Sequence, residues 1–564
     1  VLSGTRRVAY GYNIGEVELP DIREWKKVHI HTYESHLVTQ RERRPVAVSS
    51  GPNLRGHALP RVNPDDTPTV LAGIYKRVAA KLPEADTQLL DEFNAFVKRW
   101  LRRNLTPLEH DTDISVPTWL QQCNYPYWRK LELEEEYNTF NTNEPMNEKD
   151  RQVKSFVKDE SYADWKHARM INSRSDRFKI YCGPVIRAVE QRVFKLPHFI
   201  KKVPIAERPS VILRDVGDAA DRWVATDYTS FEANFTPRFM QACELEMLRY
   251  MTKHLPGHKE WMKTIEDTFT GVNHCKFRQG WFEITACRMS GEMCTSLHNG
   301  FANLMAFLFV CEKSGVQVRL KVEGDDGIAA ISGPVDQSLF ARMGLMIKLE
   351  KHAALSEASF CGLVFAPEDC INVTDPREVL AEFAWCSKRY AHSSSHKLRA
   401  LLRCKALSLA HQYPGCPIID ALGHYGIRVT RRYHMGAVSI VEKSRSYSMW
   451  EREQIRDAVT CGQLHRTESP PATRELVERL YGITVEQQKQ IEAMLDSKMD
   501  FDEIDIELQG LPRSWSKYRD LYVLTPVDLN RPNGDWHQHN NCAFNVSICS
   551  TTFNARGDKI RPVY

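Results

Sequence analysis

Two adjacent acids, Asp325 and Asp326, stand between glycines in Gly324-Asp325-Asp326-Gly327. Carboxylates on a tight turn suit a hard divalent cation, which takes oxygen ligands, and glycine lets the backbone approach closely. Asp-Gly is equally an ordinary hairpin turn, so this motif alone leaves both readings open. Upstream, Asp227 lies near the end of the short run WVATDY, and Glu232 follows five residues later. Ser290-Gly291 precedes Thr295 and Asn299, which are four apart and therefore stack on one helical face. Hydroxyl and amide groups placed so can hydrogen-bond a sugar, or simply face solvent. Between residues 151 and 202, thirteen Lys and Arg, Lys158 and Arg169 among them, face only five acids. Such a concentration implies a polyanion nearby.

The elements that must position these residues can be read from periodicity. Val318, Leu320 and Val322 alternate with polar residues before the acids, and Ile328 to Ile331 is apolar after them, which predicts a hairpin with the acids at its tip. WVATDY (223–228) predicts a strand, and 238–254 a helix entered through Pro237. Leu297, Phe301, Leu304, Met305 and Leu308 predict a helix that carries Thr295 and Asn299 on its first turns. Leu89, Leu90, Phe93, Phe96, Val97, Trp100 and Leu101 share one face of a further helix that should pack on something larger. A compact hairpin is expected at FCGLVF (360–365). A second basic stretch, 386–449, sets eleven Lys and Arg against two acids and suggests that the polyanion runs between two walls. Beyond Ser469-Pro470-Pro471 one helix should end at Gly482, and Thr484 with Gln487 forms the capping box of another.

At 564 residues, with 42% hydrophobic and 10% aromatic content, the chain should fold into several lobes around a sizeable core. The net charge of +4 is small. Fifteen cysteines without a CxxC pair read as reduced thiols of a cytosolic protein; His537, His539, Cys542 and Cys549 are a weak zinc candidate. No apolar run is long enough to span a membrane and no signal peptide is visible. The start at Val1 rather than Met leaves a fragment or processed product with an upstream anchor open.

Taken in order, these parts are those that templated nucleotidyl transfer needs. Two divalent ions about 3.5–4 Å apart activate a 3′-hydroxyl and stabilise leaving pyrophosphate. Asp227 and Asp325 are the candidates to hold both. Basic side chains neutralise the triphosphate, and a lysine near the leaving group can serve as general acid.

The chain resembles RNA-directed RNA polymerases of positive-strand RNA viruses, broadly tombusvirus- or nodavirus-like. FVKDE (156–160) through ARMI (168–171), ATDYTSFEANF (225–235), SGEMCTSLHNG (290–300), VEGDDG (322–327) and FCGLVF (360–365) carry the resemblance, in family order. It implies an α+β right hand of fingers, palm and thumb, with an antiparallel palm sheet and helical extensions at both ends. The corresponding boundaries are 1–110 for an N-terminal extension and helical layer, 111–220 for fingers, and 221–365 for palm with a fingers insertion near 255–287. Thumb and C-terminal extension would take 366–465 and 466–564. The resemblance makes Asp227, Asp325 and Asp326 metal ligands for magnesium, with manganese as the alternative. It makes Lys158, Arg169, Glu232, Ser290, Gly291, Thr295 and Asn299 nucleotide-binding, and Lys351 the general acid, with Lys348 as its rival. Glu232 replaces the usual Asp and would reach toward the asparagine; His298 replaces a small residue; Glu323, by strand alternation, would face away from the metals.

The implied partners are single-stranded RNA template, nascent RNA, ribonucleoside triphosphates, and other viral or host replication proteins, in membrane-associated complexes of the host cytoplasm. Residues 466–564 are expected to influence initiation or anchor a partner. Reverse transcriptase and a non-catalytic RNA-binding scaffold are the competing readings. The Ser-Gly/Thr/Asn helix argues against the first, the paired acids against the second.

Overall fold

A computed structural model describes residues 28–33, 47–123, 125–139, 146–217, 222–433 and 464–524, with two further short strands at 552–553 and 559–560. The zinc candidate His537, His539, Cys542 and Cys549 lies outside the described residues. All described cysteines are free thiols. Among the described residues no helix is long and apolar enough to cross a membrane.

The strands are β1 (His29–Thr32), β2 (Ala47–Ser49), β3 (Val153–Val157), β4 (Met170–Arg174), β5 (Trp223–Tyr228), β6 (Val272–Phe277), β7 (Gly280–Thr285), β8 (Val318–Glu323), β9 (Asp326–Ile331), β10 (Ile347–His352), β11 (Trp385–Ser387) and β12 (Val523–Leu524). The sheet that matters most runs β10-β5-β9-β8, antiparallel throughout. Apolar residues line both faces of β5, β9 and β8, while the edge strand β10 and the end of β5 at Asp227 reach solvent. Leu320, Val322, Val224, Ala329 and Ile331 join the largest core, and Ile328 and Ala330 join a smaller one with Phe360 and Phe365. The helix Thr295–Lys313 fills the large core beneath this sheet and is apolar nearly all round, as a fully buried helix must be. The predicted helix at 87–104 packs into the same core, with Phe93 stacked on Phe239 at 5.7 Å and tilted on Phe309 at 5.3 Å.

A second sheet, β1-β7-β6-β3-β4, carries the basic ribbon β3–β4; its one parallel pairing is β3 with β6. A third core joins helices Ser395–Gln412 and Ile419–Val429 to the helices Pro471–Tyr481 and Val485–Ser497. The capping box at Thr484 and Gln487 is formed, and Gly482 ends its helix with φ +69°. Leu476, Val477, Ile491, Leu495 and Trp515 are buried in that core, so this part of the C-terminal stretch is structural to it.

Three expectations need adjustment. The helix over 238–254 is two pieces, Pro237–Ala242 and Glu244–Thr252, because the break at Cys243 turns Glu244 inward onto Arg288. Lys321, on a strand expected to alternate, is buried too, and its ammonium is paired with Asp215 and the Pro197 carbonyl. Of the second basic stretch, residues 434–449 lie outside the described residues, and several of its described cations are already engaged. Arg403 and Lys405 donate to backbone carbonyls, Arg399 stacks 3.5 Å over Phe501, and Lys388 pairs with Asp65.

Candidate active site

The acidic hairpin is closed by a two-residue turn, Gly324-Asp325, with Glu323 opposite Asp326. Gly324 alone in the turn has positive φ (+60°), the requirement of a type II′ hairpin. Three groups hold this turn from the protein side. Asn303, fully buried on the helix Thr295–Lys313, donates to the carbonyls of Gly324 (3.3 Å), Asp325 (3.0 Å) and Asp326 (3.1 Å). Thr226 Oγ1 donates to the Asp325 carbonyl at 3.1 Å, and Tyr228 Oη donates to Asn303 Oδ1 at 3.3 Å. Gly327 has to be glycine, since a Cβ there would stand 2.8 Å from Thr226 Oγ1. Asn303 was not singled out from the sequence; its signal is an amide on an otherwise apolar helix, four residues past Asn299.

Strand register brings Asp227 to the same place. β5 and β9 pair Ala225 with Ile328 and Thr226 with Gly327, so Asp227 falls next to Asp326. Asp325 and Asp326 touch solvent at the hairpin tip, but protein crowds their other sides. That crowding pushes the Asp325 carboxyl up, against the pull of Arg169 and Arg77. It pushes Asp326 up to about 7, with Asp325, Glu323 and Asp227 adding like-charge repulsion. Glu323 therefore does not face away. The tight turn makes it the cross-strand partner of Asp326, and Lys201 (2.8 Å) and Ser296 Oγ (3.3 Å) hold its carboxylate.

The two candidate lysines are separated by the same register. Lys348 is directly opposite Asp227, its ammonium held by Glu350 at 2.7 Å. Lys351 is opposite Val224, three residues along the strand, which is about 10 Å away and on the other face of the sheet. The expectation of Lys351 beside the acids is therefore replaced by Lys348.

The basic ribbon ends beside the hairpin. The Lys158 N–H donates to the Arg169 carbonyl at 2.8 Å, and Glu160 pairs with both side chains, at 2.7 Å and 3.7 Å. Ser290 and Gly291 dock on β4: Ser290 Oγ donates to Met170 O at 2.6 Å and Gly291 N to Asn172 O at 2.9 Å. A Cβ on Gly291 would meet the Asn172 carbonyl group at 2.9 Å, so this close approach demands glycine. Thr295 Oγ1 donates back to the Glu292 carbonyl at 2.7 Å, closing the helix start. Beneath lies a buried ionic cluster. Arg288 pairs with Glu244 and lies 3.7 Å from Glu292, which accepts from Arg174 at 2.6 Å. His298, fully buried on this cluster, is driven well below its ordinary pKa, first by burial and then by Arg288. Asn299 and Glu232 are not joined to each other. Asn299 Oδ1 accepts from Arg288 Nε at 3.2 Å, while Glu232 accepts from Arg77 Nε at 2.9 Å.

Among the described residues no group of three or more His, Cys, Asp or Glu side chains closes into a metal cage. What the site offers is an open set of oxygen donors at a hairpin tip, flanked by arginine, lysine and a polar helix face. Residues 177–417 match the model of the viral RNA-dependent RNA polymerase family. The chain carries a viral RNA-directed RNA polymerase domain. The polymerase match spans Asp227, Glu232, Ser290, Asn299, Asp325, Asp326 and both lysines; Lys158, Arg169 and Arg77 lie ahead of it. Such an enzyme takes an RNA template and nucleoside triphosphates. No curated protein matches the chain.

Proposed function

We propose that this polymerase, tombusvirus- or nodavirus-like in its motifs, copies a viral RNA genome from ribonucleoside triphosphates by two-metal nucleotidyl transfer. The observation that carries the reading is the register that sets Asp227 beside Asp326, with the Asp325 turn clamped by Asn303. The donor set fits magnesium or manganese: carboxylate oxygens only, few in number, and open to solvent where substrate phosphates would complete the coordination. Asp227, Asp325 and Asp326 would hold the ions, which when bound would activate the 3′-hydroxyl and stabilise the leaving oxygen.

The chain's own residues do the rest. Lys158 and Arg169 exchange Glu160 for the triphosphate, a stronger anion with more acceptor oxygens. Asn299 and Glu232 meet the ribose, and Thr295 with docked Ser290-Gly291 fixes the helix start that presents Asn299. Lys348 supplies the proton to the pyrophosphate oxygen. The test is synthesis on a single-stranded RNA template with labelled ribonucleotides and magnesium. Complementary product from wild type and none from Asp325→Ala is the expected result. Product that persists with Asp325→Ala removes the metal assignment, and incorporation of deoxynucleotides alone removes the sugar assignment.

A further inference from the structure

We propose that Arg77, which lies outside the family match, is a positioning residue that sets ribose specificity through Glu232. The inference rests on the polymerase reading of the site and adds a residue to it. Arg77 holds both oxygens of the Glu232 carboxylate, Nε to Oε1 at 2.9 Å and Nη2 to Oε2 at 3.5 Å. Both side chains are largely covered, 22% and 17% exposed, so the pair is shielded and directional rather than a loose surface contact.

The segment bearing Arg77 is fixed from two sides. Ser230, at φ +47° in the turn before Glu232, donates its hydroxyl to the Lys76 carbonyl at 3.3 Å. Gly73 is butted against the backbone beside Arg169: a Cβ there would meet the Ala168 carbonyl oxygen at 2.4 Å. Arg77 thus has a set position relative to both Glu232 and the basic ribbon.

Donor and acceptor roles follow from what each ribose-facing group already binds. Arg288 Nε is a donor, so it takes the oxygen of Asn299 and leaves the amide N–H groups for a ligand. The same residue's backbone N–H donates to the Glu232 carbonyl at 2.9 Å, which fixes that backbone. Among the described residues, Arg77 is the hydrogen-bonding partner of the Glu232 side chain. A 2′-hydroxyl both accepts and donates one hydrogen bond, and an amide donor with a carboxylate acceptor answers it on both counts. A 2′-deoxyribose leaves both groups unpaired. Without Arg77 the Glu232 carboxylate loses its direction and its hydrogen-bonded counter-charge, in the field of Asp325 and the incoming triphosphate.

The test is single-nucleotide incorporation by the full chain on an RNA template, comparing ATP with 2′-deoxy-ATP for wild type, Arg77→Ala, Arg77→Lys and Arg77→Ala/Glu232→Gln. For Arg77→Ala we expect KM for ATP to rise about tenfold and the ribose-to-deoxyribose ratio in kcat/KM to fall about tenfold, the scale of one charge-assisted contact. Arg77→Lys keeps the charge without the fork and should keep KM better than the ratio. The double variant removes the stranded carboxylate, so KM should recover while the ratio stays low. An unchanged ratio in Arg77→Ala overturns the proposal, as does an equal loss of kcat on both nucleotides at unchanged KM, which is the mark of a mere brace. A wild-type chain that makes no RNA product refutes the polymerase reading itself, an outcome distinct from either.

Discussion

Asn303 offers the sharpest test of how the acidic hairpin is held. Its amide carries two N–H donors, and three carbonyls of the turn, those of Gly324, Asp325 and Asp326, share them. Asn303→Leu keeps the branched shape with bulkier ends and removes both donors and the acceptor for Tyr228 Oη. A buried carbonyl left without a partner costs about 1–3 kcal/mol, so two lost donors weaken the hairpin by roughly 2–3 kcal/mol. Opening of the turn should then become about 30- to 150-fold more frequent. Hydrogen–deuterium exchange of a peptide spanning 318–331 reads this directly. Turnover should fall on the order of 100-fold, because an ångström of misplacement at reacting groups costs that much, with KM little changed since Asn303 touches no substrate.

Asn303→Asp separates hydrogen bonding from packing. It is isosteric, but it replaces the donor with an acceptor aimed at three carbonyls. If the donors matter, Asp is worse than Leu in both assays; if packing matters, Asp is the milder change. Finding wild-type exchange and turnover in Asn303→Asp would refute the reasoning.

The remaining predictions concern other parts of the molecule. Lys348→Ala should lower kcat at least tenfold and Lys351→Ala by less than twofold, since only Lys348 stands opposite Asp227; the reverse order in steady-state kinetics would restore Lys351. Asp215, paired with buried Lys321, is held at about 2, first by its hydrogen bond to Arg214 and then, against desolvation, by Lys321. A carboxyl depressed in the folded state stabilises above the unfolded value near 4 and loses that contribution as pH falls toward 2. Asp215→Asn should therefore cost about 1–2 kcal/mol at neutral pH and flatten the acid limb of a denaturation-versus-pH series; a parallel acid limb would count against the pairing. Truncation after residue 465 should abolish soluble folded protein, because it removes Leu476, Val477, Ile491, Leu495 and Trp515 from a buried core. Truncation after 524 spares that core, so its effect on primer-independent synthesis is the cleaner measure of what the end of the chain does.

What could be read from the sequence was whatever rests on short-range pattern. Alternation located β8 and an apolar run located β9, helical spacing located 87–104 and 295–313, and the capping box at Thr484 formed as written. Charge was less legible, because a count of Lys and Arg does not say where their partners are. Arg174, Arg288 and Lys321 belong to buried pairs, and Arg403 and Lys405 spend their donors on carbonyls. Pair identity depends on topology. Arg174 with Glu292, Lys321 with Asp215 and Arg77 with Glu232 meet across more than a hundred residues of sequence. Arg288 and Glu244 meet across 44, and Asn303 and the hairpin turn across about 22. The same limit explains the lysines. Lys348 and Lys351 are equally plausible by type, and only the register of β10 on β5 puts one beside Asp227 and the other on the far face. Register also rescues Glu323, since a two-residue turn fixes it as Asp326's partner where alternation counted through the turn would turn it away. The site thus shows a division of labour: the acids and the polar helix face are written locally, while the groups that aim them come from elsewhere in the chain. Substitutions that alter specificity or timing without abolishing activity should concentrate among those second groups, Arg77, Arg288, Asn303 and Lys201, rather than among the acids.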